Sequence, residues 1–165
     1  MSRVGTLFED LYRAEVELAR DYRSVAERQV ADPGTHYMCG TLARRAQARA
    51  ERLAELAEPF AADLSRSEVG ERTAAAWESM RDKASATLGL HAPAGLHLLH
   101  DLRRLYASAS QVQVNWVLLQ QIAQALRDRR LLDEADASGR EVVTEVKWVR
   151  TRLKEAAPQA LLAAE

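Results

Sequence analysis

A single cysteine, Cys39, stands in 165 residues, so no internal disulfide can staple this chain. Proline occurs four times and glycine seven, too few for a loop-rich or low-complexity protein. No apolar run is long enough to span a bilayer, and the opening MSRVGTLFED has no signal-peptide core. The expected location is therefore the cytoplasm. Charge is balanced, with a net value of −1, so no global basic field draws the chain to nucleic acid. The arginine pairs Arg44-Arg45 and Arg103-Arg104 are short and mixed with acids, and argue against a nucleic-acid groove. No glycine-rich phosphate loop, no CxxC and no Ser-His-Asp arrangement is present. Lysine is confined to Lys83, Lys147 and Lys154; the other basic residues are arginines.

What is abundant is alanine, leucine, arginine and glutamate, with apolar residues at helical spacing and no period-2 stretch. The composition, 47% hydrophobic and 28% charged, suits one domain spanning 1–165. The fold class is all-α. A first helix is expected over about 6–31, opened by a Thr6/Glu9 capping box. Its seam is Phe8, Leu11, Glu15, Leu18, Tyr22 and Val25. Asp32-Pro33 breaks it and starts a second helix, about 33–62, with proline at the first helical position. The seam of this helix is Cys39, Leu42, Ala46, Arg49, Leu53, Leu56 and Phe60. A weaker, more polar helix is expected over 68–88, with Ser65 and Glu68 as a capping box and Trp77 and Met80 facing the bundle or a partner chain. GLHAPAG then interrupts the chain.

A third long helix is expected over 95–127, with Leu99, Leu102, Tyr106, Ala109, Gln113, Trp116, Gln120 and Ala123 inward. The fourth, about 131–157, ends before Pro158. Its apolar side is Leu131, Ala135, Val142, Val146, Val149 and Leu153, with Glu141, Glu145 and Trp148 beside it. Long helices joined by short, long and short connections predict a ferritin-like four-helix bundle with one long crossover containing an extra helix.

Two charged residues interrupt these seams. Glu15 and Arg49 lie level if the first turn is centred near residue 32 or 33. An isolated buried carboxylate or guanidinium is costly, whereas a bidentate pair relieves both. The expected arrangement is an inner Glu15–Arg49 ion pair. In the alternative, Arg49 snorkels outward and Glu15 is half buried. Register about the turn near residue 130 sets Gln113 beside Glu145 and Trp148 and predicts a Gln113–Glu145 hydrogen bond. The alternative for Glu141 and Glu145 is a solvated face.

Di-iron sites in bundles need a Glu from each of two helices and a Glu-x-x-His from each of the other two. Thr144 and Trp148 stand three residues after Glu141 and Glu145, and the second helix has its only histidine, His36, in the first turn. Both Glu-x-x-His motifs are missing. His97 and His100 share a helix side next to Asp101, and read as an outward surface cluster. Cys39 reads as a small core residue.

LYRAEVELARDY, HYMCGTLARRAQARAERLAEL, LHDLRRLYASASQVQVNW and VKWVRTRLKEAAPQALL together resemble small bacterial ferritin-like proteins of unassigned role. The resemblance covers the four long helices, about two thirds of the chain, and is weakest in the crossover. It implies iron binding, ferrous-iron oxidation or peroxide handling at inner Glu and Glu-x-x-His ligands. Only Glu15, Glu141 and Glu145 match such ligands here. The group carries acids and a His where this chain has Gln47, Ala48 and Arg49, and glutamates where it has Gln111 and Gln113. The expectation is a bundle with a degenerate di-iron site and no cofactor, leaning away from enzymatic activity. It would act in binding, structure or interaction, as a homodimer or with another helical protein. The alternative is an iron-dependent oxidoreductase or iron-binding protein using the residual inner carboxylates.

Overall fold

A computed structural model describes residues 2–65 and 94–162 of the chain. Four long helices make up the described fold: α1 (Arg3–Arg28), α2 (Pro33–Ala57), α3 (Ala94–Leu126) and α4 (Arg129–Leu162). A short 3-10 turn, Glu58–Phe60, follows α2. Among the described residues there is no strand. The expected helix over 68–88, with Glu68, Trp77 and Met80, and the breaker histidine His91 lie outside the described residues.

Contacts between helices give their directions. Rising α1 numbers meet falling numbers on both neighbours: Ser2 contacts Phe60, while Glu15 contacts both Arg49 and Trp116. Further along, Arg28 contacts Asp101. So α1 is antiparallel to α2 and to α3, and α2 is parallel to α3. Two parallel helices cannot be joined by a short turn. Accordingly the chain leaves α2 beside the start of α1, where the Asp63 N–H donates to Glu9 at 2.8 Å. It re-enters α3 at the other end, where Gly95 lies against Ala160.

The core is the set of inner stripes of all four helices, from Phe8, Leu11 and Leu18 on α1 to Val142 and Val149 on α4. Packing is close along α1–α2 and α3–α4, less so along α1–α3, and slight between α2 and α4. The α2–α4 side is spanned mainly by arginines. Arg152 of α4 reaches Asp32 (2.6 Å) and Thr35 (3.2 Å). Arg49 and Arg52 of α2 reach acids of α4.

Helix ends depart from the expected ones for identifiable reasons. The N-cap of α1 is Ser2, whose hydroxyl accepts from the Gly5 N–H. The Thr6/Glu9 box does not form, because α1 already starts at Arg3: Thr6 lies inside the helix with its hydroxyl donating to the Ser2 carbonyl, and Glu9 accepts from the Asp63 N–H instead. A Cβ on Gly5 would lie 2.8 Å from the Phe60 carbonyl oxygen, so only glycine admits this close approach. The start of α2 is as expected, with Asp32 as N-cap and Pro33 in the first turn. α2 stops at Ala57, before Pro59. Arg127 takes a left-handed conformation with φ 55°. There the Arg127 and Asp128 N–H groups bond back to Gln124 and Ala123. Asp128 then caps α4 at the Leu131 N–H. α4 was expected to end before Pro158, yet it continues to Leu162 with Pro158 inside it. Buried Ala156 and Ala160 continue its inner stripe, so packing against the start of α3 outweighs the backbone bond that proline forfeits.

Candidate functional site

Among the described residues, the interior holds a charged cluster to which all four long helices contribute. Glu15 comes from α1, Arg49 from α2, Trp116 from α3, and Glu141 and Glu145 from α4. Glu15, Arg49 and Trp116 are 0% exposed and Glu145 is 1% exposed. Such burial is normally reserved for apolar side chains. It is achieved because all five guanidinium N–H groups find acceptors. Arg49 Nε and Nη2 donate to the two oxygens of Glu15 at 2.7 and 3.0 Å. Nη1 and Nη2 donate to the two oxygens of Glu145 at 2.7 and 3.1 Å. Nη1 also donates to Glu141 Oε2 at 3.3 Å. Two forked contacts by one planar group hold both carboxylates in fixed positions, the geometry in which arginine outperforms lysine.

Trp116 Nε1 donates to Glu15 Oε1 at 2.6 Å, and the Tyr22 hydroxyl donates to Glu145 Oε2 at 3.5 Å. Beyond them, Arg52 contacts Glu134 at 2.6 Å and Glu141 at 3.9 Å. The buried centre thus holds one guanidinium against two carboxylates, with half-exposed Glu141 adding a third. Burial pushes the Glu15 carboxyl above its usual range, with Glu145 adding to the rise and Arg49 and the Trp116 N–H opposing it. Glu145 is likewise raised by burial and by Glu141, against Arg49 and Arg45. For Arg49, burial opposes the charge, but the two glutamates outweigh it and hold the guanidinium protonated. Burial and the nearby Glu145 charge also raise the Tyr22 hydroxyl.

The expected Glu15–Arg49 pair is therefore present, and Glu145 joins it. Gln113 does not. It lines an open surface groove with Val117, Gln120, Gly139 and Lys147, and Glu145 is bound instead by Arg49 and Tyr22. The position that enters the cluster from α3 is 116, three residues on. Tyr106, Gln113 and Gln120 sit at the edge of the stripe, whose buried centre is Leu105, Ala109, Val112, Trp116 and Leu119. Helical spacing puts Trp116 and Tyr22 on inner seams but does not by itself show their polar roles. The detectable signal was that each carries a donor level with a buried glutamate.

His97 and His100 are exposed, but Asp101 turns away from them into the core. It accepts from Arg28 at 2.8 and 3.2 Å and from Gln29 at 3.0 Å. His36 is bound through Nδ1 to the Ala26 carbonyl at 2.8 Å. Cys39 is fully buried, and burial pushes its thiol up to about 12, which fits an inert core residue.

A di-iron centre does not fit these residues. The guanidinium lies between the carboxylates that would bridge two irons, and among the described residues no histidine reaches them. Among the described residues no set of three His, Cys, Asp or Glu side chains is arranged to hold a metal ion. Nor can the cluster serve readily as an acid–base pair, since arginine does not deprotonate in proteins. Among the described residues, no helix is long and apolar enough to cross a membrane. No family model, curated protein or solved structure matches this chain.

Proposed function

We propose that this chain is a ferritin-like bundle protein without a competent di-iron site, with a binding or structural role in place of redox catalysis. The observation that carries the reading is Arg49. A cation fixed by five hydrogen bonds occupies the position where bridging carboxylates would otherwise gather metal. The ion pair thus replaces a metal as the link between helices. Expression with added iron, followed by elemental analysis, tests this. The expected result is iron far below one atom per chain. About two irons per chain, the stoichiometry of the bundle di-iron proteins, lost on Glu15→Gln, would overturn it in favour of an iron-dependent oxidoreductase using Glu15, Glu141 and Glu145.

The role includes self-association through α3. Residues 105–126 contain no Asp, Glu, Lys or Arg, in a chain that is otherwise rich in them. Val114, Val117 and Leu118 point outward from this stretch, each about half exposed. Interface centres are depleted of charge in this way, and an uncharged face can meet its own copy without like-charge repulsion. In sedimentation equilibrium the parent chain is expected to be dimeric and Val117→Glu monomeric. A parent chain that is already monomeric would remove the dimer from the reading.

A further inference from the structure

The α2–α4 side of the bundle is closed at two levels by arginine bridges: Arg152 to Asp32 at one end, and Arg49 to Glu145 at mid-height. Between them it stays open, leaving a cavity of about 380 Å³. That is enough for a small organic molecule. Tyr37, Met38, Leu42 and Trp148 make its apolar walls, Glu145 lies in its lining, and Arg45 stands at its mouth. Tyr37 is 73% exposed and Met38 37%, so this part of the seam is left without the cover that tight α2–α4 packing would give it.

Charge selects the occupant. Behind the cavity the cluster holds Glu15, Glu145 and half-exposed Glu141 against the single buried charge of Arg49. The excess is negative. Arg52 is shared between Glu134 and Glu141 and leaves that excess in place. Arg45, an exposed side chain one helical turn before Arg49, lines the cavity, and its charge acts on Glu145. Aromatic walls beside a carboxylate attract organic cations, through the ring faces and through the opposite charge. We infer that the α2–α4 cavity binds a small organic amine with an apolar tail, its ammonium drawn to the Glu145 side and its tail held by Tyr37, Met38 and Trp148. This site rests on the metal-free reading of the centre, because it uses Glu145 as an organic counter-ion and not as a metal ligand.

Three probes of similar size separate charge from shape: phenethylamine, neutral 2-phenylethanol and the anion phenylacetate. Binding to the full chain is followed by titration calorimetry and ligand-observed NMR. The amine is expected to bind at least about tenfold more tightly than either of the others, a free-energy difference of about 1.4 kcal/mol. Tyr37→Ser should weaken the amine at least about threefold. Arg45→Gln, which removes the competing cation, should tighten it by a similar factor. Both side chains are exposed, so circular dichroism should show each variant folded. Equal affinity for the three probes, preference for the acid, no saturable amine binding, or an unchanged or weakened Arg45→Gln overturns the site. So does dissociation of a dimer by Tyr37→Ser, which would assign the opening to a second copy of the chain. Iron analysis of the same sample keeps the two readings apart: protein free of both iron and amine overturns this site alone.

Discussion

Arg49→Met should cost about 3–5 kcal/mol of stability, the range for breaking a buried ion pair from one side. The methionine fills much of the same space but leaves Glu15 and Glu145 facing each other with no cation between them. The loss should depend on pH, and its sign follows from the direction of the two shifts. Burial already raises both carboxyls in the folded protein, and removing Arg49 raises them further. Groups shifted upward favour folding most when pH lies below their unfolded value. They lose that contribution as pH rises through the folded one. Chemical denaturation of Arg49→Met should therefore show a larger deficit at about pH 8 than at about pH 5. A deficit that is small, or larger in acid, would mean that Arg49 does not neutralise the two glutamates. Replacing Arg49, Glu15 and Glu145 together by apolar residues should recover most of the loss, since apolar packing commonly equals a buried ion-pair network in stability. Such a variant would retain the fold and lose the charge that defines the amine site.

Trp116→Ala should cost a similar amount, about 3–5 kcal/mol, for a different reason. The indole is fully buried, and its removal leaves a cavity at the level where all four helices meet. It also removes the N–H that donates to Glu15. Trp116→Phe separates the two contributions. It retains most of the ring volume and should cost only about 1.5–3 kcal/mol, the range for one hydrogen bond to a charged group. Urea titrations of the two variants measure the partition. If Trp116→Phe were as damaging as Trp116→Ala, the hydrogen bond and not the packing would dominate.

Much of the bundle was legible from residue spacing. The inner faces of α1 and α2 come out nearly residue for residue, because a strongly amphipathic helix has one way to face the core. The α1–α2 turn was legible for the same kind of reason, since Asp32 and Pro33 act within a single turn of backbone. The first helix start was not. Thr6 and Glu9 have the spacing of a capping box, but Glu9 is engaged by a chain segment more than fifty residues away. Nor is the end of α4 legible, because the packing of Ala156 and Ala160 compensates for Pro158 only once α3 lies beside it.

The central cluster divides along the same line. Helical period and the short first turn are local properties, and together they set Glu15 and Arg49 level; the cost of burying either charge alone favours their pairing. The connection near residue 130 is equally short, but the inner stripe of α3 is broad, with apolar residues over much of its circumference. Gln113 and Trp116 are then both eligible by sequence to face the bundle centre. Packing settled the choice: the rotation of α3 that buries Leu105, Val112 and Leu119 also turns Trp116 to Glu15 and leaves Gln113 at the rim. That one guanidinium serves two glutamates is likewise a result of three-dimensional placement. Arg49 reaches α4 where α2 and α4 pack only slightly against each other, an arrangement that no residue pattern within either helix encodes.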